Sequence, residues 1–334
     1  MSARAPGARM EALFWMTRLG FVWAPMLVPP GWFAAVGPHR IGGLVAAMAA
    51  LGCAGAIVAV LNDVLDREKD RVTAPHLPLP SGLVTVPEAL AWALLLSLGF
   101  LVGIAIAADS LHAFAAAVAA AAGAGLLVVA YSAAKRFAPL AMFLAAVVYA
   151  DIPFVAWCAG GGHGLKPLAA VLGYTVFFGL GTNTYTGMQD VSTDPSVGNS
   201  SLAARFGLGY SFVLAAAFDL ASVACVVVVA VQIGRGAVGA VLAAICVATI
   251  LFVHWRHRRA GGWNARVERS SWIASTRAVT LSRLVTLFAL VAVFSIPAAL
   301  AITVVLAALM KVLTAGYQRR IVLGGLRRQA LGPG

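Results

Sequence analysis

Only 12 residues of this 334-residue chain are acidic, and four of them, Asp63, Asp66, Glu68 and Asp70, fall within eight positions directly after an apolar run. Asn62, Asp66 and Asp70 recur at i, i+4 and i+8, which on a helix stacks them one turn apart on one face. A stripe of hard oxygen donors suits Mg2+, which takes one or two carboxylates and fills its shell with phosphate oxygens and water. Taken alone, the stripe also fits a solvated charge run at a helix end. A second cluster at 185–207, YTGMQDVSTDPSVGNSSLAARFG, follows another apolar run and sets Asp190 and Asp194 at i, i+4. Half of the acids sit in these two places; Glu11, Glu88, Asp109, Asp151, Asp219 and Glu268 are scattered. Two facing metal sites follow as the leading expectation, with Asn62, Asp63, Asp66, Asp70, Asp190 and Asp194 as ligands.

The elements that must position these groups are membrane helices. With 61% hydrophobic and 11% charged residues, the chain is expected to be all-α, a polytopic membrane protein built as a bundle of nine transmembrane helices around a central cavity. The spans fall near 13–36, 41–62, 86–107, 110–131, 138–160, 166–187, 209–233, 236–254 and 285–310. Pro25, Pro29 and Pro30 imply a bent or broken first span, Thr85 and Glu88 a capping box at the third, and Asp109-Ser110 a cap for the fourth. The whole chain, 1–334, is read as one transmembrane domain with a basic loop over 255–284 and a basic tail over 311–334. Lys and Arg concentrate on the side of the N-terminus, at Arg67, Lys69, Arg71, Lys135, Arg136 and the loop after Trp255. Positive-inside then puts the N-terminus and both acidic clusters in the cytoplasm, at the cell membrane, although the basic tail argues against that count. The net charge of +12 would engage lipid headgroups and anionic substrates, and no soluble basic face speaks for nucleic acid. Cys53, Cys158, Cys225 and Cys246 lie in apolar spans without ligand spacing and are expected as core residues.

Carboxylates over a membrane cavity ask for a substrate with a phosphate head and an apolar tail, as in a prenyl diphosphate. Metal bound there would neutralise the diphosphate leaving group, so that the allylic C–O bond ionises, while apolar walls keep water from the cation. The motifs carry a likeness. Asn62-Asp63-x-x-Asp66-x-x-x-Asp70 with Pro78-Leu79-Pro80-Ser81-Gly82 (62–82), Tyr131-x-x-x-Lys135-Arg136, and Tyr185-x-x-x-Gln189-Asp190-x-x-x-Asp194 (185–207) resemble the three motifs of the UbiA superfamily of intramembrane prenyltransferases. The resemblance implies a nine-helix bundle, Mg2+ dependence, an isoprenoid diphosphate donor and a small aromatic acceptor. It also implies catalytic roles for Asp66, Asp70, Asp190, Asp194, Lys135 and Tyr131. Lys135 and Arg136 would contact diphosphate and Arg18 the mouth of the site; Tyr149, Asp151, Trp157, Phe178, Asn183, Tyr185 and Gln189 are the further candidates for substrate.

The sequence departs from that pattern in places. Ala74 and Leu77 stand where arginines are common before Leu-Pro-Ser-Gly, Asn199 where a base follows the second-motif glycine, and Thr182 where an acid sometimes precedes Tyr185. These departures fit a specialised aromatic prenyltransferase or the superfamily's terpene cyclase branch, which would cyclise a C15–C20 diphosphate without an acceptor. A cation-coupled transporter is the reading from another class, and it wants acids near the bilayer midplane, where only Asp151 fits. Asp151 either serves an acceptor or caps a helix broken at Pro153, Asp219 makes a helix–helix hydrogen bond, and His254 and His257 join an interfacial belt with Trp255.

Overall fold

In hydrocarbon every backbone N–H and C=O must find a partner within its own segment, so the long Ala, Leu and Val runs of this chain become helices. A computed structural model describes residues 6–17, 20–37, 39–75, 77–189, 201–259 and 269–317, and every regular element among them is helical. In order they are α1 (Pro6–Met16), α2 (Gly20–Val36), α3 (Ile41–Leu65), α4 (Arg67–Thr73), α5 (Val86–Ala107), α6 (Leu111–Ala134), α7 (Ala138–Ala159), α8 (Leu165–Gln189), α9 (Leu202–Phe206), α10 (Leu208–Gln232), α11 (Gly236–Arg259), α12 (Arg269–Phe294) and α13 (Ile296–Tyr317). Seven, α3, α5, α6, α7, α8, α10 and α11, are long and apolar enough to cross a membrane, at seven of the expected positions. On α5, Leu90, Leu94, Leu98, Val102 and Ile106 form an i, i+4 stripe that is 45–65% exposed along the helix. Such a stripe belongs against lipid. The protein is an all-helical, multi-pass membrane protein.

The first and last expected spans have different bounds. The span foreseen over 13–36 divides into α1 and α2, and the prolines lie inside α2 rather than at the break. The span foreseen over 285–310 divides at Ser295. Pro297 has no N–H to offer the Val293 carbonyl, and Ser295 Oγ accepts instead from the Ala298 amide at 3.4 Å. Arg235, in the turn between α10 and α11, donates through Nη1 to the carbonyls of Val293 and Phe294 at 3.2 and 3.1 Å. By its last residues α12 has therefore reached the α10–α11 turn, and α13 is a further apolar helix beyond it.

Two compact units are distinguished, one of Met1–Met26, Gly42–Ala107 and Val304–Gly334, the other of Leu27–Ile41 and Ala108–Thr303. In the first, small residues let α3 and α5 approach: a Cβ on Gly103 would lie 2.8 Å from Ala50 Cβ. A buried cluster there joins Ala12, Leu13 and Met16 of α1, Val60 of α3, Ala89 and Ala93 of α5, and Leu79, Leu83 and Val84 of the α4–α5 loop. The expected capping box forms, with Glu88 Oε2 accepting from the Thr85 amide and hydroxyl, both at 2.8 Å.

In the second unit α6 packs on α7, α7 on α8, and α8 on α10, which also meets α11 and α12. Gly179 makes the α7–α8 approach possible, since a Cβ there would sit 2.8 Å from Ala146 Cα. Gly31 does the same for α2, where a Cβ would overlap the Pro153 carbonyl. Ser110 caps α6 as expected, accepting from the Ala113 amide at 3.1 Å. All four cysteines are free, with Cys158 and Cys246 buried and Cys53 and Cys225 half-buried, as packing residues should be.

Candidate active site

The first motif begins on the last turn of α3 and runs into α4. Its backbone hydrogen bonds do not stop at Asp66, where the two helices join. The Asp66 amide donates to Asn62 O at 2.8 Å, Asp70 to Asp66 O at 2.9 Å, and Ala74 to Asp70 O at 2.8 Å. This unbroken i, i+4 ladder keeps Asn62, Asp66 and Asp70 in the register that the spacing implied. All three are half-buried, whereas Asp63, one position round the helix, is only 4% exposed. One carbonyl of the loop that follows takes three donors. Pro78 O takes the Leu83 and Val84 amides at 3.0 and 3.1 Å and the Ser81 hydroxyl at 3.2 Å, while Gly82 supplies the left-handed φ of +68°. With Leu79, Leu83 and Val84 buried, this loop fixes the motif from its far end.

Lys135 ends α6 as its C-cap, its Nζ 5.4 Å from the centre of the Tyr131 ring four residues earlier, and Arg136 Cζ lies 5.3 Å from that of Phe137. The Tyr-x-x-x-Lys motif is thus a local helical pairing at a corner between helices. The second motif starts at the end of α8 and resumes at α9. Asp190 and Asp194, Arg18 and the side chain of Gln189 lie outside the described residues. Ser201 begins the return: it caps α9 through the Ala204 amide at 3.1 Å, and its Cβ would be 3.1 Å from a Cβ on Gly187 of α8. Among the described residues no three His, Cys, Asp or Glu side chains converge.

Asp151 is half-buried on α7, and its carboxylate meets no hydrogen-bond or ion-pair partner among the described residues. Helix α7 is continuous through Pro153, so this side chain does not cap a break there. Trp157, two turns on, donates its indole N–H to the His163 carbonyl in the α7–α8 loop and stacks on Phe154. Asn183 Nδ2 donates to Gly179 O of its own helix at 3.1 Å. Tyr149 meets Phe178 edge-on, with ring centres 6.0 Å apart.

Phe178 and Tyr185, both candidates for substrate, flank a cation of the protein. Arg283 of α12 lies with Cζ 4.8 Å from the Phe178 ring centre and 5.0 Å from that of Tyr185. Its Nη2 donates to Asp219 Oδ1 of α10 at 3.0 Å, and its Nη1 to Thr182 Oγ1. Tyr185 Oη donates to the other oxygen, Asp219 Oδ2, at 3.2 Å, and lies 3.0 Å from His254 Nε2 of α11. An ionised carboxylate only accepts, so the phenol proton points to Asp219 and His254 Nε2–H donates to the phenol oxygen. The helix–helix bond foreseen for Asp219 is present, joined by an arginine to which the sequence pattern assigns no role. The belt foreseen for the histidines is not: His254 is half-buried in this knot, and His257 is 2% exposed, stacked on Phe212 with ring centres 3.9 Å apart. Every third or fourth residue of α11 faces the bundle, and 254 and 257 fall on that face whatever their polarity.

The profile of the UbiA prenyltransferase family matches residues 21–266, most of the chain and all three motifs. The chain belongs to the UbiA prenyltransferase family. Solved structures agree on the fold. A UbiA homolog from Aeropyrum pernix K1, in its apo form, superposes with a TM-score of 0.62 at 20% identity, covering 79% of this chain and 97% of its own. A UbiA homolog from Archaeoglobus fulgidus bound to GPP and Mg2+ gives 0.57 at 19% identity, over 86% of this chain and 99% of its own. A structure described for digeranylgeranylglyceryl phosphate synthase in membranes gives 0.62 at 18% identity, with the same coverage. A sequence search of curated proteins finds no match. This UbiA-family protein is therefore a membrane-embedded member of a prenyltransferase family.

Proposed function

We propose that this chain is a Mg2+-dependent intramembrane enzyme that ionises an isoprenoid diphosphate and transfers the prenyl group to a small aromatic acceptor. The observation that carries the reading is the half-buried stripe of Asn62, Asp66 and Asp70 on an unbroken helical ladder, held at its far end by the Pro78 loop. The donor set fits the ion: three hard oxygens from one face, with room in the shell for diphosphate. The related Archaeoglobus structure bound to GPP and Mg2+ supports the same assignment. When bound, Mg2+ would neutralise the diphosphate as the allylic C–O bond breaks. In this reading Asp190 and Asp194 act on the same diphosphate, and Lys135 and Arg136 take its oxygens by charge-assisted hydrogen bonds. Asp151, a carboxylate with no partner among the described residues, accepts the proton that the acceptor gives up on alkylation.

Transfer is favoured over cyclisation by the aromatic faces. A cyclase escorts a carbocation along aromatic faces, yet Phe178 and Tyr185 already hold the Arg283 guanidinium. The transporter reading is left with Asp151 alone, because the other mid-span acid, Asp219, is bound to a fixed cation. The test is incubation of the purified protein with Mg2+ and C10, C15 or C20 diphosphate, with and without a hydroxybenzoate-like acceptor. A prenylated aromatic that requires both Mg2+ and acceptor is expected; a cyclic hydrocarbon formed without acceptor would assign the cyclase activity instead. In that assay D151N should lower transfer on the order of a hundredfold, the scale of general-base loss, while acceptor-independent release of diphosphate persists.

Orientation follows from the same proposal, with the motifs on the cytoplasmic side of the cell membrane. Since α12 ends level with the α10–α11 turn, the 22 residues of α13 would cross back, bringing the basic tail to the cytoplasmic side as well. A reporter fused at the C-terminus should then show the same sidedness as one at the N-terminus.

A further inference from the structure

The Asp219–Arg283 pair is built with more care than cohesion requires. Both side chains are at most 6% exposed. A buried pair of this kind can often be replaced by apolar residues at no loss of stability, because desolvation offsets the attraction. Its presence is explained better by what it fixes. The face of α8 that meets it runs Phe178, Gly181, Thr182, Tyr185, the i, i+3, i+4, i+7 pattern, and each residue on that face answers the guanidinium or its carboxylate. Gly181 is the keyhole: a Cβ there would overlap Arg283 Nη2 and stand 3.0 Å from Asp219 Oδ1. No other rotation of α8 presents a glycine flanked by two rings and a hydroxyl at these heights. The pair therefore sets both the rotation and the height of α8, and it does so at Tyr185, where the second motif begins, one turn before Gln189.

We propose that Asp219 and Arg283 are positioning residues for the part of the second motif that α8 carries: through Tyr185 and the keyhole at Gly181 they fix the rotation and height of the last turns of α8, up to Gln189. The inference rests on the Mg2+–diphosphate reading for what the motif binds, but not for how α8 is held. Single removal of either charge strands the other, so the informative variant removes both, D219L/R283M, accompanied by G181A, which keeps both charges and wedges them apart. Two measurements are made on full-length protein in detergent. One is the Mg2+ concentration for half-maximal turnover, set against kcat. The other is amide hydrogen exchange of the segment 182–189 without metal or substrate.

The expected result is that D219L/R283M unfolds at nearly the wild-type temperature. Its Mg2+ midpoint rises on the order of tenfold, the range for residues that orient metal ligands, and 182–189 exchanges faster while the middle of α10 stays protected. G181A should shift both readouts in the same direction, and R283K, which retains charge but not the fork, should fall between it and wild type. Wild-type exchange at 182–189 in the double variant would overturn the proposal, as would an unchanged Mg2+ midpoint in an active one. If the wild-type protein turns over no prenyl diphosphate, the functional reading fails, and the exchange measurement alone still decides whether α8 is positioned by the pair.

Discussion

Two sets of acids in this chain stand in opposite surroundings. Asp66 and Asp70, with Asn62, stand on a half-buried stripe at a helix end. Asp219 lies mid-helix, 4% exposed, with both oxygens already engaged by Arg283 and Tyr185. A carboxylate in a membrane protein is therefore not a ligand because it is rare. At a half-buried helix end it is a candidate ligand, as proposed above for Asp66 and Asp70; where an arginine meets it inside the bundle, as at Asp219, it is a fastener. The contrast also separates the two kinds of loss that mutation should cause: chemistry at the first set, structure at the second.

The largest effect is expected at the first set. Asp66→Ala should abolish Mg2+-dependent turnover of prenyl diphosphate with little change in thermal unfolding, because the side chain is half-buried at a helix end rather than locked between helices. Turnover at the wild-type rate in this variant, at saturating Mg2+, would remove the first motif from the reaction. At the second set the order reverses. Asp219→Ala leaves the Arg283 guanidinium in the bundle without its anion, at a cost of about 3–5 kcal/mol. Unfolding should move down by many degrees, far more than for Asp66→Ala. Asp219→Ala within about two degrees of wild type would mean that water reaches Arg283, and the distinction between the two sets would weaken.

How much of this could be read from the sequence follows the range of each interaction. The ladder at Asn62, Asp66 and Asp70 and the Thr85–Glu88 box are contacts within a few residues, and spacing alone gave them. The seven long spans follow from hydropathy, since each is apolar by itself. The last crossing did not follow. α12 starts at Arg269 with a polar stretch, RSSWIASTRAVT, and a ruler that waits for apolar residues begins the span far too late. Arg283 was passed over for the same reason: its partner is 64 residues away, and only packing reveals that the charge is neutralised. Gly181 gave the one local hint, a glycine inside an apolar helix beside another at Gly179, but the need for space there becomes visible only with α10 and α12 in place.

A smaller perturbation sharpens the contrast by moving an ion pair to the surface. Arg9 Nη1 meets Glu88 Oε1 at 3.2 Å, nearly the length of the Arg283–Asp219 contact, but these side chains are 49% and 33% exposed. Water screens such a pair, and its removal should cost little stability. Glu88 has a second duty that Arg9 does not share, accepting from the Thr85 amide and hydroxyl at the start of α5. Glu88→Ala should therefore lower the unfolding midpoint more than Arg9→Ala, through the lost cap, and both far less than Asp219→Ala, an ordered series readable under one detergent condition. If Arg9→Ala proved as damaging as Asp219→Ala, burial would not be what separates the two kinds of acid, because the surface pair has the same chemistry and nearly the same distance, and differs in its access to water.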